Sequence, residues 1–347
     1  MSSTASWAYG PIENIAREKV LALPSGQTIW SQYEMTRQDV GSSILPYIAT
    51  QEPGLSDHGI AHIANVMDNV GRVLGMNPSG AVDPGSRLEK IGASELLLLL
   101  LGALLHDIGN ILGRERHNQV TEQTWRKSGK SSYNLWQNPD RKTIMALCQA
   151  HTGKASDGSK DTLKPLSASA YYFLGSQVPI GRLAAILRFS DELAEGEQRT
   201  SRFLLFQRMY DRENNEVFHR YAHCTNLTID AAGDRVALDF RIELDDFQGS
   251  EDSLSEFREL LSLIFKRIAK LDDERVLTRA YAGDWLPFKE VSVVLEIVSD
   301  GDTIIELPQI VLNDFNTRAK GGFELRSINK NYDLEEVISK VEAHLGS

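Results

Sequence analysis

Cysteine is scarce in this chain of 347 residues, which contains only two, Cys148 and Cys224. The two lie far apart and match neither the paired spacing of zinc sites nor that of redox motifs. A disulfide framework is therefore excluded, and a reducing compartment is favoured. The start of the chain also lacks a basic region followed by an apolar segment, the pattern of a signal peptide. We therefore expect a cytoplasmic protein.

Positive charge is also in deficit. Lysine and arginine number 37 against 48 acidic residues, so the formal net charge is −11. Proteins dedicated to duplex nucleic acid depend on neutralising phosphates, which this balance disfavours, although it allows a local basic pocket. No stretch interleaves basic and aromatic residues as single-strand binders do. The composition thus disfavours dedicated nucleic-acid binding.

A long hydrophobic run is missing as well. The most apolar segment, Leu96–Leu105, has ten residues and is followed by His106 and Asp107. A membrane-spanning helix needs about 20 apolar residues. We therefore predict that this segment is a core helix and that the chain has no membrane span. No low-complexity tract and no internal repeat interrupt an otherwise ordinary globular composition, 41% hydrophobic and 24% charged.

What the sequence does contain is helical periodicity through its first two thirds, for example in Ile60–Leu74,. Near Cys224 the pattern changes to strand-like alternation around turn sequences. The order ββαββα from there to the end suggests an antiparallel sheet. We predict a mainly α protein, with a helical bundle followed by a smaller α+β domain. The predicted limits are a helical extension over 1–50, the bundle over 51–220 and the α+β domain over 221–347.

Some local predictions complete this scheme. We expect a helix over Ser167–Phe173. In the C-terminal part, we expect one helix over Ser253–Leu271 and a second that ends near Tyr281. The acidic cluster Glu243–Asp246 and the amphipathic final helix suit packing on the bundle, dimerisation or recognition of a protein partner.

Polar residues interrupt three of the most apolar predicted helices. His62 lies within Ile60–Leu74, His106-Asp107 ends the leucine-rich segment, and Asp191 ends an apolar run that starts at Leu183. Buried polar side chains cost free energy unless a partner engages them. A divalent metal is the simplest partner, because imidazole and carboxylate together suit Zn, Fe, Mn or Ni. Taken singly, a core histidine or a helix-end aspartate usually has only a structural role.

The order His, His-Asp, Asp resembles the signature of the HD-domain superfamily of metal-dependent phosphohydrolases. Three segments carry the resemblance, Leu55–Val66, Leu104–Gly109 and Ile186–Leu193, and it covers roughly residues 50–200. The resemblance implies an HD-type helical bundle. It also implies that His62, His106, Asp107 and Asp191 hold one metal. His58 is the rival of His62. Otherwise the segment Asp57-His58-Gly59 is an accessory element at the helix start that caps the helix or touches substrate.

Several HD subfamilies hold a second metal with extra histidines between the doublet and the last aspartate. His117 and His151 occupy that interval here. Either one is a candidate second-metal ligand, general acid or phosphate-facing donor, or else a solvated histidine at a helix end. The implied cofactor is thus one or two divalent ions, which we expect to be Mn, Fe, Ni, Zn or Mg.

The resemblance also implies a mechanism. A bound metal activates water and polarises phosphate, Asp107 orients the water, and His117 or His151 protonates the leaving oxygen. The phosphate needs cationic partners, preferably arginines. The candidates near the motifs, each of which is otherwise ordinary surface charge, are Arg114, Arg116, Lys154, Arg188, Arg199 and Arg202.

Three functions remain open at this point. The first is hydrolysis of phosphate ester or anhydride bonds in a nucleotide or related small phosphorylated molecule. The second is an HD nuclease that cuts single-stranded RNA or DNA, which the acidic charge disfavours. The third is a nucleotide-sensing module without turnover.

Overall fold

The computed structural model describes residues 7–51, 56–128, 130–152, 158–211, 215–247, 252–315 and 324–345. The chain forms two compact units. Unit 1 comprises Met1–Ala194 with Thr278–Leu286, and unit 2 comprises Glu195–Leu277 with Pro287–Ser347. The first passage between them, after Ala194, comes earlier than the predicted domain limit at 220. It follows the end of an apolar helix, whereas strand-like alternation starts about 30 residues later. The domain limits given by the sequence, 1–50, 51–220 and 221–347, therefore stay a prediction.

Unit 1 is built from helices and one short hairpin. The helices are α1 (Pro11–Leu21), α2 (Gly26–Ser43), α3 (Leu45–Gln51), α4 (Ile60–Leu74), α5 (Arg87–Lys90), α6 (Ala93–Leu105), α7 (His117–Ser128), α8 (Lys130–Tyr133), α9 (Asn138–Gln149) and α10 (Ile180–Glu192). Short 3-10 turns follow α6 at Ile108–Leu112 and precede the hairpin at Lys164–Ala168. The hairpin pairs β1 (Tyr171–Phe173) with β2 (Ser176–Val178).

The leucine-rich helix α6 lies in the core of unit 1. Every leucine from Leu96 to Leu101 is completely buried. A Cβ at Gly102 would come within 2.6 Å of Leu147 and 3.0 Å of Leu187, so this glycine permits close packing of α6 against α9 and α10. Among the described residues, Ala93–Leu112 is long and apolar enough to span a membrane by composition, but 83% of its most apolar window is buried. That burial is typical of a core helix.

Helices α4 and α10 pack on α6 and on each other. Helix α4 carries a buried apolar stripe that includes Ile63, Val66 and Val70, and it ends at Gly75 in the left-handed conformation,. The Asn69 amide donates to the main-chain oxygen of Ser190 on α10 at 3.1 Å. This bond joins the helix that carries His62 to the helix that carries Asp191.

The expected helix over Ser167–Phe173 is wrong, because only Ser167 and Ala168 lie in a 3-10 turn and Tyr171–Phe173 forms β1. Three aromatic residues in a row, Tyr171 to Phe173, favour a strand. The turn residues Leu174 and Gly175 both have positive φ, 52° and 75°, as a two-residue type I′ hairpin requires,.

Unit 2 contains the α+β part. Its elements are α11 (Arg202–Phe206), α12 (Glu216–Cys224), β3 (Thr225–Asp230), β4 (Arg235–Glu243), α13 (Ser253–Ala282), β5 (Glu290–Ser299), β6 (Asp302–Asn313) and α14 (Leu334–Leu345). The strands form one sheet in the order β3-β4-β5-β6.

The predicted fold class, mainly α with a smaller α+β part, is confirmed, but the sheet is mixed. The pairs β3–β4 and β5–β6 are antiparallel hairpins, whereas β4 and β5 run parallel. Parallel neighbours need a long crossover, which α13 supplies. This helix is continuous over 30 residues, not divided near Leu271, and its residues from Thr278 onward belong to unit 1.

Candidate metal centre

Three elements of unit 1 bring the predicted metal ligands together. His62 lies in the first turn of α4, His106-Asp107 follows the last turn of α6, and Asp191 is the penultimate residue of α10. His62 and His106 are 1% and 0% exposed, and Asp107 is 4% exposed. The side chain of Asp191 is 24% exposed, so the group is open to solvent on one side.

One oxygen of Asp107 faces the predicted first metal site. Its Oδ2 lies 3.5 Å from Nε2 of both His62 and His106. The Oδ1 of Asp191 lies 3.3 Å from the first of these nitrogens and 3.5 Å from the second. The Nε2 of His58 is 3.8 Å from the same Asp107 oxygen. The structure thus brings both candidates for the first histidine to this group.

The other oxygen of Asp107 faces His117 and His151. Its Oδ1 lies 3.2 Å from Nε2 of His117, the first residue of α7, and 3.4 Å from Nε2 of His151, just after α9. The two Nε2 atoms are themselves 3.2 Å apart. Asp107 therefore lies between two groups of imidazoles, one on each carboxylate oxygen.

Main-chain carbonyls orient several of these rings. The Nδ1 atoms of His106, His117 and His151 lie 2.9, 2.9 and 2.5 Å from the carbonyl oxygens of Ala103, Arg114 and Cys148. A carbonyl can only accept, so each Nδ1 carries the hydrogen, and Nε2 of the neutral ring presents a lone pair. Metal-binding histidines are typically fixed in this way.

These lone pairs leave the cluster incomplete without a cation. Nε2 of His62 and Nε2 of His106 are buried and have no hydrogen-bond partner within the described part of the chain. Two groups have ligand atoms within 4.8 Å of one another, His62 with His106 and Asp191, and His106 with Asp107 and His151. Buried imidazole nitrogens and carboxylate oxygens are ligands for divalent transition metals. The cluster could therefore hold a metal ion.

Charge and burial oppose each other in this cluster. Burial lowers the pKa of His106, but Asp107 and Asp191 outweigh it and raise the pKa to about 9. Conversely, burial raises the pKa of Asp107, whereas the neighbouring histidines hold it well below its usual range. Burial also raises the pKa of Asp191, but His106 and His62 hold it well below its usual range. Without a metal, both carboxylates are therefore ionised and a proton is held at His106.

His117 and His151 differ although they share one oxygen of Asp107. Burial lowers the pKa of each ring. For His117 the Asp107 carboxylate outweighs it and raises the pKa, whereas for His151 burial prevails and the pKa is lowered. The His117 side chain is 15% exposed and that of His151 only 2%. His117 is thus the better proton carrier of the two.

The residues that support the second group of imidazoles (His117 and His151) were not predicted from the sequence. Asn118 Nδ2 donates to the main-chain oxygens of Gln149 and Thr152, which flank His151, at 3.2 and 3.1 Å. A Cβ at Gly109 would lie 2.0 Å from the main-chain oxygen of His117, so glycine is required for this approach. The sequence shows that Gly109 follows the doublet closely. Only the fold shows that a side chain at this position would collide with the main chain of His117.

Asp57, in the segment that was expected to cap α4 or touch substrate, caps the start of this helix. Asp57 accepts hydrogen bonds from the main-chain nitrogens of Gly59 at 2.8 Å and His62 at 3.2 Å. These bonds satisfy free N–H groups at the helix start and hold the backbone that carries His62.

The predicted phosphate partners lie in several places. Arg114 and Arg116 are exposed just before α7, and Lys154 lies outside the described residues. Arg188 is buried and donates to Lys160 and Thr162. In unit 2, Arg199 lies 3.5 Å from Glu195, and Arg202 is exposed with its guanidinium over the Phe206 ring. Their roles stay predictions.

Residues 52–271 match the model of the HD-CE family, a family of HD-type domains. The chain belongs to the HD-CE family. No curated protein and no solved structure matches it. The match includes the whole histidine–aspartate cluster and continues into unit 2. Family and cluster together indicate a metal-dependent hydrolase of the HD type.

Proposed function

We propose that this protein is a phosphohydrolase that cleaves phosphate ester or anhydride bonds in a nucleotide or a related small phosphorylated molecule. The observation that supports it best is the position of Asp107, whose two oxygens face two groups of imidazole nitrogens. Such an arrangement suits a carboxylate shared by two cations, which is a common design for in-line phosphoryl displacement.

The ligands of the first ion would be His62, His106, Asp107 and Asp191, with His58 as the rival first histidine. Asp107, His117 and His151 would hold a second ion. Mn, Fe, Ni, Zn and Mg remain the candidate metals. When bound, a divalent ion supplies a water of lowered pKa and a positive charge that polarises the phosphoryl group.

The protein's own residues would orient water and supply a proton. Asp107 points both oxygens into the cluster, so it can accept a hydrogen bond from the attacking water. With a single ion bound, His117 is the better general acid, because its pKa is raised and its ring is partly exposed,. With two ions, His117 and His151 would be ligands, and solvent would supply the proton to the leaving oxygen.

Substrate phosphate needs cationic partners, and Arg114 and Arg116 are the first candidates because they directly precede His117. Their exposure leaves both side chains accessible to a ligand. Lys154, Arg199 and Arg202 stay candidates from the sequence alone. A cytoplasmic location, and a role of the α+β part in dimerisation or protein contact, also stay predictions.

The test is a substrate panel run on the wild type beside the double variant His106→Ala/Asp107→Ala. The panel contains nucleoside mono-, di- and triphosphates, dinucleoside polyphosphates, cyclic nucleotides and single-stranded oligonucleotides, each with Mn, Ni or Mg. We expect one class of small phosphorylated compound to be hydrolysed by the wild type only. Metal analysis should find one or two ions per chain that the double variant lacks.

Other outcomes would overturn the proposal. Cleavage of oligonucleotides alone would make the protein a nuclease. Saturable nucleotide binding without turnover would make it a sensor. A wild type that binds no metal would remove the basis for either enzyme.

A further inference from the structure

The segment 158–163 lies beside the second group of histidines and is held at several points. Thr162 Oγ1 donates to the main-chain oxygen of Ala150, the residue before His151, at 2.6 Å. Arg188 Nη1 donates to Thr162 Oγ1 at 2.8 Å and to the Lys160 carbonyl at 2.9 Å. Arg188 lies three residues before Asp191 on α10. The segment thus connects α10 with the backbone that carries His151.

A second attachment comes from a distant part of the sequence. The hydroxyl of Tyr281, near the end of α13, donates to Asp161 Oδ2 at 2.6 Å. The other Asp161 oxygen accepts the main-chain N–H of Lys164 at 3.1 Å. Burial and Asp161 raise the pKa of Tyr281 to about 12, so the hydroxyl remains a donor at neutral pH. Hydrogen bonds to a carboxylate are stronger than neutral ones.

The hydrogen bonds form a continuous path. Tyr281 holds Asp161, the adjacent Thr162 holds Ala150, and His151 follows directly in the chain. Asn118 fixes the same backbone from α7 through the carbonyls of Gln149 and Thr152. A small shift of this backbone would change the distance from His151 Nε2 to Asp107, which is now 3.4 Å. Metal sites are sensitive to such shifts, because affinity depends on ligands held in position.

We propose that Tyr281 is a positioning residue for the cation site formed by Asp107, His117 and His151, and that it acts through Asp161 and Thr162. The inference rests on the proposed function, since it assumes that this group binds a cation. It assigns a role in the metal centre to the last turn of α13, a helix that starts in unit 2. No sequence motif connects Tyr281 with the histidines.

The test compares two Tyr→Phe substitutions in the full-length protein. Tyr281→Phe removes the hydroxyl that Asp161 accepts. The matched control is Tyr9→Phe, because Tyr9 also donates to a carboxylate, Glu34 Oε1, at 2.5 Å and also has its pKa raised to about 12. Asp161→Asn is the conservative variant, since an amide can still form a hydrogen bond with Tyr281. His151→Ala removes a proposed ligand and shows the effect of losing the second cation site completely.

Mn²⁺ and Co²⁺ titrations of the metal-free proteins give the readout. We expect His151→Ala to bind one ion fewer than the wild type. Tyr281→Phe should bind the same number, with about 3- to 10-fold weaker affinity for one ion, the effect of losing one supporting hydrogen bond. The visible absorption of bound Co²⁺, which reports ligand geometry, should change as well. Tyr9→Phe should match the wild type within about twofold. Asp161→Asn should lie between the wild type and Tyr281→Phe, because the amide keeps a hydrogen bond that is neutral and therefore weaker.

The outcomes separate this inference from the proposed function. If His151→Ala loses an ion while Tyr281→Phe binds and absorbs like the wild type, the positioning role is wrong and the proposed function stands. If His151→Ala and the wild type bind the same number of ions, the second cation site fails, and the positioning role fails with it. Weakening in Tyr9→Phe equal to that in Tyr281→Phe would also overturn the role, because the effect would then be general.

Discussion

Two buried charged networks among the described residues of unit 1 differ in whether protein atoms alone complete them. Around Glu13, the carboxylate accepts hydrogen bonds from Tyr33 Oη at 2.6 Å, from Arg37 Nε at 2.7 Å and from Gly10 N at 3.0 Å. Around Asp107, the carboxylate faces imidazole nitrogens at 3.2 to 3.8 Å. The first network is complete with protein atoms alone.

The difference separates a structural network from a functional one. In the Glu13 network, the guanidinium of Arg37 also donates to the carbonyls of Trp7 and Ala8, so donors and acceptors are matched. In the Asp107 cluster, main-chain carbonyls hold the hydrogens of three rings on Nδ1, so the Nε2 atoms of the neutral rings are acceptors that face a carboxylate. The proton held at His106 matches only part of this group of acceptors. A buried group of acceptors is costly unless a cation joins it. Loss of a partner should therefore affect stability in the first network and metal binding in the second.

The largest expected effect is that of Asp107→Asn. The amide keeps the volume but removes the charge that both groups of histidines face, so we expect metal content to fall and hydrolysis to drop by about 1000-fold or more. Elemental analysis and turnover of the panel's substrate measure this, with circular dichroism as the check on folding. A variant that keeps its metal and its rate would show that Asp107 is not shared between cations.

For Glu13→Ala we expect a loss of stability without a loss of bound metal. This change leaves Arg37, which is 7% exposed, without its carboxylate. Removal of one partner of a buried pair typically costs about 3–5 kcal/mol. Denaturant unfolding should show that loss, while the number of bound metal ions stays at the wild-type value. Loss of metal in the folded variant would contradict the separation of the two networks.

The two networks also show how far the sequence can predict a site. His62, His106, Asp107 and Asp191 stood out because each is a polar break in an apolar helix, and the structure brings them together. The Glu13 network was not predicted, since glutamate and arginine on an amphipathic helix are ordinary surface residues until tertiary packing buries them. For His117 and His151 several roles stayed open, because their approach to one oxygen of Asp107 depends on where α7 begins and α9 ends.

The fold, like the site, could be predicted only where local sequence determines it. Helical periodicity predicted α4, and apolar runs predicted α6 and α10, all from local sequence. Two features were not visible in this periodicity. The β1–β2 hairpin is specified by positive φ at Leu174 and Gly175, and the parallel pairing of β4 with β5 depends on the path of α13. Neither register nor strand direction is visible in the alternation of a single strand.

A pH titration of the metal-free protein tests the charge state of the Asp107 cluster. The pKa of His106 is raised to about 9 from an ordinary 6.5. The stabilisation from its proton is therefore fully present below pH 6.5 and is lost as pH rises through about 9. We expect the free energy of unfolding to fall by an amount on the order of 3 kcal/mol across this range.

His106→Gln is the control for this titration, and its stability should vary less between pH 6.5 and 9. Metal affinity should move in the opposite direction in the wild type, because the ion displaces the proton from Nε2. Equal pH dependence in the wild type and His106→Gln would show that another group titrates in this window.

A smaller effect than these is expected for Gly109→Ala, which tests how closely the second group of ligands is held. The added Cβ would meet the main-chain oxygen of His117 at 2.0 Å, so the start of α7 must move away from the doublet. Because His117 Nε2 is 3.2 Å from Asp107, we expect about tenfold weaker binding of one ion and unchanged binding of the other,.

Gly92→Ala is the matched control, since its Cβ meets nothing nearer than 3.9 Å. Titration with Mn²⁺ measures both variants. Equal affinities would mean that the backbone at His117 relaxes without moving its ring, and that the second group is held less rigidly than the Glu13 network.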